Sequence, residues 1–242
     1  MANKTHRRSR REVWLAATLL SASPAVAAQD GSALETALHF FTRQDAAGIV
    51  ERLESVRPAP VSPAEREGVL ATLPPEGDVP DLDTAQRKKL AAARRVLELH
   101  GREAVYEVKV IEVPQAAVAL HARAVVLVSE PALDLLDPEE LQALVAHEVG
   151  HEYFWSGYFQ ARRDNDRSLL QTLELLCDGL AIVTLRRAGM DPQRLTSALE
   201  KIVRYNRDRF GAALNEDDYP AIGERRRFAR RLVEWLGRSG GP

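Results

Sequence analysis

Apolar positions divide the chain into helical stretches and one β-rich interval. From 32 to 56, Leu34, Leu38, Phe41, Ile49 and Leu53 recur at three- and four-residue spacing, which predicts helix. Residues 57–82 hold six of the thirteen prolines and read as an extended, irregular connection. A helix is expected from Thr84 to Leu99, with Asp83 as N-cap and Gly101 beyond its end. The pattern then changes to alternation. Tyr106, Val108 and Val110 fall on one face of Val105–Val113, and Glu107 and Lys109 on the other, so this is a strand. Ala124–Val128 is a second β-rich run.

Asp137-Pro138-Glu139-Glu140 is a strong helix start: an Asp N-cap, proline at the first helical position, and Glu140 to complete a capping box. That helix should run through His151. Further helices are expected over Arg167–Arg187, ended by Gly189, from Asp191-Pro192 onward, and over Glu224–Leu236. The last should bury Phe228, Leu232 and Trp235. There is no internal repeat. The fold class is α+β, mostly helical, with a small sheet beside the helix that carries His147 and His151.

Composition adds three constraints. The first 28 residues combine a basic stretch from Lys4 to Arg11, an apolar run from Val13 to Ala22, and small residues at Ala25-Val26-Ala27. That order reads as an export signal, with a loose twin-arginine pattern at Ser9–Trp14, and places the mature chain in the periplasm or outside the cell. Beyond it stand 28 basic and 34 acidic residues, a surface with no reason to bind nucleic acid. No later segment is expected to span a membrane. Cys177 is the only cysteine, so an intramolecular disulfide is excluded. The chain therefore divides into an export signal (1–28), a helical and Pro-rich segment (29–82), and a main domain (83–242).

His147-Glu148-Val149-Gly150-His151 supplies the chemistry. Positions i and i+4 of a helix lie one turn apart on one face, so two imidazoles can hold one Zn²⁺ per chain. Glu148, at the edge of that face, can take a proton from water without ligating the metal. A catalytic site needs a third protein ligand. Glu152, Asp164, Asp166, Glu174, Cys177 and Asp178 are candidates. Glu174 and Asp178 stand out because they are i and i+4 within an apolar run, where carboxylates are costly unless they meet a cation or donors. His39 and His100 read as surface or packing residues. His121 precedes the second strand, near where substrate would lie.

Leu141–His151, followed by Glu174-Leu175-Leu176-Cys177-Asp178, resembles the gluzincin metallopeptidases, with their H-E-x-x-H and downstream E-x-x-x-D. Within them it is similar to the group of HtpX heat-shock peptidases, CAAX prenyl endopeptidases and their soluble periplasmic relatives. The similarity runs over residues 105–236. It implies a zincin-type fold, Glu174 as third ligand, Asp178 supporting a ligating histidine, and endopeptidase activity on protein or peptide, with a role in protein quality control outside the cytoplasm. The family's Asn-Ala-x-Ala-x-Pro-Gly-Gly stretch aligns with Ala116–Arg123, where Ala116, His121, Ala122 and Arg123 replace the Asn, Pro and two Gly.

Substrate is expected along the next strand, pairing through Ala124, Val126 and Val128 at a sheet edge. The Pro-rich stretch from Arg57 to Asp81 is expected to cover the cleft. Tyr219-Pro220, with Arg225 six residues after the tyrosine, takes the place of a His-Pro pair and its Arg. Tyr219 is expected to steady an oxyanion and Arg225 to hold that segment. Two rival readings are a non-proteolytic zinc-binding assembly factor or chaperone, and a zinc hydrolase of non-peptide amides.

Overall fold

Capping residues set where several helices begin. The computed structural model describes residues 32–43, 45, 48–73, 81–211 and 219–239, so the expected export signal lies outside the described residues. The elements run α1 (Ala33–Thr42), α2 (Ile49–Val56), α3 (Pro63–Thr72), α4 (Thr84–Leu99), β1 (Glu107–Ile111), β2 (Val118–His121), β3 (Val125–Ser129), α5 (Glu130–Leu135) and α6 (Pro138–Tyr153). Then follow α7 (Trp155–Asp164), α8 (Arg167–Arg187), α9 (Gln193–Phe210) and α10 (Ile222–Arg238). Asp83 with Gln86, and Asp137 with Glu140, close the reciprocal boxes before α4 and α6. The fold class is α+β and mostly helical, as the pattern predicts.

Three local expectations are corrected. The region 32–56 is two helices, with Gly48 as N-cap of the second. The Pro-rich stretch contains a helix, α3, opened by a Ser62–Glu65 capping box and Pro63 at its first turn. This start is as legible as the one at Asp137, but α3 buries none of its residues and carries little apolar periodicity. The third correction is α7, which has one fully buried residue, Ala161, and so no apolar stripe to announce it.

The sheet has order β1-β3-β2, with β1 parallel and β2 antiparallel to β3. β2 was not expected as a strand. It joins β3 through Ala122 and Arg123, both at positive φ (48° and 57°), with Ala124 N–H closing on His121 C=O at 3.0 Å. Two consecutive left-handed residues make a tight hairpin turn of the kind that favours Asn-Gly or Gly-Gly. Ala and Arg there carry no such signal.

α6 and α8 form the centre. Residues 140–150 of α6 and 172–185 of α8 are buried without a break. By length and composition α8 could cross a membrane, contrary to the expectation that no such segment exists. Here 83% of its apolar window is buried inside the protein. α1 belongs to the same core. Phe41 is fully buried, and a Cβ on Gly179 of α8 would lie 2.1 Å from its ring. α1 and α2 thus contribute to the same hydrophobic core as α4, α6, α8 and α10.

Val61, Val69, Leu70 and Leu73 cover Ala124, Val125 and Leu127 on the sheet. The described part of the Pro-rich stretch therefore backs the sheet. None of its described residues lines the cleft described below.

Candidate metal centre

α6 presents His147, Glu148 and His151, and α8 presents Glu174 and Asp178. What lets the two helices deliver their side chains to one point is Gly150, the second unspecified position of the motif. A Cβ there would sit 2.8 Å from both Cα and Cβ of Cys177. Contact that close is possible only for glycine against a small residue. Cys177 is accordingly a buried wedge, as expected for a free cysteine, with its thiol held protonated by burial.

Ligand atoms of His147, His151 and Glu174 all lie within 4.8 Å of one another. His147 Nε2 is 3.4 Å from Glu174 Oε2, and His151 Nε2 is 3.9 Å from Glu174 Oε1. This group could hold a metal ion. The rest of the site is arranged to orient it. His147 Nδ1 is 2.9 Å from Asp178 Oδ1, and Arg225 grips the same carboxylate with Nε on Oδ2 at 2.7 Å and Nη2 on Oδ1 at 2.5 Å. An anionic acceptor at Nδ1 fixes the proton on that nitrogen and leaves Nε2 as the lone-pair donor facing Glu174. Asp178 therefore supports a histidine, as expected. Arg225 does so through Asp178 and is itself buried, which is more than holding a loop.

Burial alone would lower the pKa of His147, but the Asp178 and Glu174 carboxylates override it and raise it to about 9. Burial would raise that of Glu174, but His147, His151 and Arg225 bring it down to about 2. His151, with weaker anionic support, is lowered by burial. Glu174 Oε2 is buried with no hydrogen-bond partner. With both imidazoles neutral, Glu148, Glu174 and Asp178 face a single guanidinium, Arg225. An orphaned carboxylate oxygen, two imidazole lone pairs and a surplus of negative charge together suit a divalent cation.

Two contacts have no precursor in the sequence reading. Tyr158 of α7 donates its hydroxyl to Glu174 Oε1 at 2.8 Å, with its ring 4.7 Å from that of His151. This occupies one carboxylate oxygen and leaves Oε2 toward His147. The backbone N–H of Leu120 donates to Glu148 Oε2 at 2.8 Å, tying the base to the outer edge of β2.

The remaining candidates are placed elsewhere. Glu152 points into a separate cluster with Arg102 Nε at 3.0 Å and the Tyr106 hydroxyl. Asp166 caps α8 by accepting from Leu169 N–H, and Asp164 is exposed beside Arg163. His39 is exposed. His100 is buried between Tyr153 and Thr184. His121 ends β2 half-buried.

The site opens into a cleft of about 1670 Å³ whose walls include residues 115–120, Trp155, Phe159, Leu199, Ile202, Phe210 and Tyr219. Tyr219 is thus brought to the site. Although 42% exposed, it faces this concavity, where partial desolvation and the Glu174 and Glu148 carboxylates push its pKa up to about 12.

Ala124, Val126 and Val128 are not brought to the site as a docking edge. β3 is the middle strand, paired on both sides, and all three residues are buried. The expectation failed because β2 could not be read, and β2 is the edge strand on that side. Odd-numbered residues of β2 turn their polar groups to β3, as Ala117 C=O accepting Ser129 N–H shows, so Val118 and Leu120 face outward. The Asn206 amide from α9 pairs with both backbone groups of Ala116, at 2.9 and 2.8 Å, as a strand neighbour would.

No protein-family model matches this chain, and no curated protein matches it. What the chain itself carries is a buried His147–His151–Glu174 group, braced by Asp178, Arg225 and Tyr158, at the floor of a long open cleft.

Proposed function

We propose that the protein is a zinc-dependent endopeptidase of the gluzincin type, similar to the HtpX and CAAX prenyl endopeptidase group. The observation that carries this reading is the convergence of His147, His151 and Glu174 with Glu148 beside them. His147 Nε2, a ring nitrogen of His151 and Glu174 Oε2 would hold one Zn²⁺ per chain. When bound, zinc supplies Lewis acidity to a carbonyl and to water.

The other parts belong to the chain. Leu120 N–H pins Glu148 Oε2, which leaves Oε1 to accept the proton of an attacking water and later pass it to the leaving amine. Tyr219, its pKa far above neutral, keeps its O–H proton and can donate to the oxyanion. Outward-facing Val118 offers its N–H and C=O to an extended substrate backbone. This moves the docking edge from β3 to β2.

Cleft size favours a polymer. Pockets for small ligands run from roughly 300 to 1,000 Å³, and this one, at 1670 Å³, is larger and open. A peptide chain fits it better than a small amide. The N-terminal order of basic, apolar and small residues supports export to the periplasm or beyond, and with it a part in protein quality control there.

Metal analysis with a casein-cleavage assay on wild type and Glu148→Gln tests the proposal. One zinc per chain in both, with turnover only in the wild type, is expected. Zinc-loaded wild type that leaves casein intact would favour the binding-platform reading instead.

A further inference from the structure

α9 lays one stripe along the cleft: Leu199, Ile202, Val203, Asn206 and Phe210, at spacings of three and four residues. All but Asn206 are apolar. An asparagine is a weak helix former, and in an apolar stripe its amide costs free energy unless both ends are paired. Here both are, and with the backbone of a single residue. The Ala116 N–H donates to Asn206 Oδ1 at 2.9 Å, and Asn206 Nδ2 donates to the Ala116 C=O at 2.8 Å. One side-chain amide thus fills the place of a neighbouring strand residue.

The place of this pair along the edge of β2 gives it a consequence. Even-numbered residues turn their backbone groups outward, and in the segment that lines the cleft these are Ala116, Val118 and Leu120. Leu120 N–H is held by Glu148 Oε2 at 2.8 Å, beside the candidate metal centre. Ala116 is 1% exposed, and Asn206 holds both of its groups. Val118, half-buried, lies between them, and its outward N–H and C=O meet no partner among the described residues. The edge therefore offers one complete N–H and C=O pair, and α9 closes it at the next.

We infer that Asn206 is a specificity-determining residue: its amide ends the docking edge, so that a peptide pairs with β2 at Val118 and leaves the sheet before Ala116. The inference rests on the peptidase reading for its cleavage arm. The substrate residue opposite Leu120 lies next to the scissile bond, and the one opposite Val118 two residues farther out. Backbone recognition on this flank then stops about three residues from the scissile bond. Residues beyond that point gain nothing from the sheet.

The test uses fluorogenic peptides that share one Leu/Phe core and are extended by one to six alternating Ser and Ala residues on either flank. With full-length zinc-loaded enzyme, kcat/KM should rise about tenfold up to the third residue of one flank, the worth of two backbone hydrogen bonds, and stay level beyond it. Asn206→Ala frees the N–H and C=O of Ala116, so the plateau should move out by two residues, with a further gain of about tenfold. A residue that only ties α9 to the sheet would, when removed, lower kcat/KM by one factor at every length and leave the plateau in place. That result would overturn the inference, and so would a rise in wild type that continues to the sixth residue on both flanks. If Asn206→Ala does not fold, Asn206→Asp keeps the acceptor for Ala116 N–H and loses the donor. It should move the plateau in the same way, with a gain of about threefold for the one group released, and the same criteria decide.

Anisotropy binding of the same peptides to zinc-loaded Glu148→Gln separates the two readings. Binding that levels off at the third residue of one flank, without any cleavage by wild type, would keep this inference and defeat the peptidase. Cleavage with affinity that climbs through all six residues on both flanks would do the reverse. Neither binding nor cleavage would overturn this inference as well.

Discussion

Glu148 and Glu152, one turn apart on α6, belong to two different buried carboxylate clusters, and the charge balance of the two differs. At the front, Glu148, Glu174 and Asp178 meet one guanidinium, Arg225. At the back, Glu152 meets two, Arg102 at 3.0 Å and Arg123 at 3.6 Å, and accepts the Tyr106 hydroxyl. Each cluster leaves one carboxylate oxygen without a hydrogen bond, Glu174 Oε2 and Glu152 Oε1. The orphan oxygen alone therefore does not mark a metal site. The net charge around it does. The back cluster has a cationic surplus and no use for another cation, whereas the front, once His147 gives up its second proton and both imidazoles are neutral, lacks positive charge and supplies two lone pairs. Two buried glutamates on the packed helices, Glu174 of α8 and Glu152 of α6, thus sit in different charge surroundings, one suited to a metal ion and one to an ion-pair cluster.

Removing each glutamate gives the largest expected contrast. Glu174→Ala should abolish stoichiometric zinc binding by metal analysis, with the fold kept, because two histidines alone do not make a catalytic-type site. Glu152→Ala should keep one zinc per chain yet lose about 3–5 kcal/mol in denaturant unfolding, since it takes the carboxylate away from buried Arg102 and half-buried Arg123. Zinc retained in the first variant, or lost in a folded form of the second, would break the comparison.

The histidines near each cluster sharpen it. Burial, with Arg57, Arg187 and Arg102, lowers the pKa of His100 to about 3, while carboxylates raise that of His147. An unfolded histidine titrates near ~6.5. Between that value and about 3 the unfolded chain binds the proton and the folded chain does not, so stability falls as pH falls through this window. Wild type should lose about 1.4 kcal/mol more per pH unit below 6.5 than His100→Gln. Unfolding curves at pH 7, 6 and 5 would show it, and parallel losses in both proteins would refute it.

Tyr158→Phe should weaken zinc by about 10–100-fold in a chelator competition, since it frees Glu174 Oε1 without touching a ligand. Unchanged affinity would leave Tyr158 a packing residue. The smallest effect concerns the turn that feeds the back cluster. Ala122→Gly should stabilise by about 1 kcal/mol, because an L side chain in the left-handed region costs that much. Arg123→Gly relieves the same strain but removes a partner of Glu152, so it should show no gain. Thermal melts of the two variants compare them directly, and equal gains would mean that Arg123 adds nothing to the cluster.

Local signals made some elements legible. Asp83 and Asp137 announced their helices because capping is a contact between residues three apart, and α9 begins directly after Asp191-Pro192 without a side-chain cap. The bounds of α4 and α8 follow the reading to the residue. Tyr106 and Val110 face the core as their alternation implies. Elements with little buried surface went unread. α3 and α7 have no apolar stripe, and β2 ends in a turn whose Ala122 and Arg123 carry no glycine signal. That one omission misplaced the docking edge, because a central strand and an edge strand look alike in a short apolar run. In the last helix, Trp235 stays half-buried while Leu236 is fully buried, a difference of one position that periodicity alone does not resolve.

The sequence by itself determined which side chains on one helix could share a metal: His147 and His151 are one turn apart wherever that helix lies, with Glu148 between them. The pairing of Glu174 with Asp178 on a second apolar helix was legible for the same reason. Only the tertiary structure decided how the two helices meet. Gly150 against Cys177 sets their approach, and that approach brings Glu174 rather than Glu152 to the histidines. It also decided that Arg225 grips Asp178, that Tyr158 claims one oxygen of Glu174, and that β2 presents Leu120 to Glu148. These are contacts between residues far apart in the chain, fixed by packing around α6 and α8, and no local periodicity encodes them.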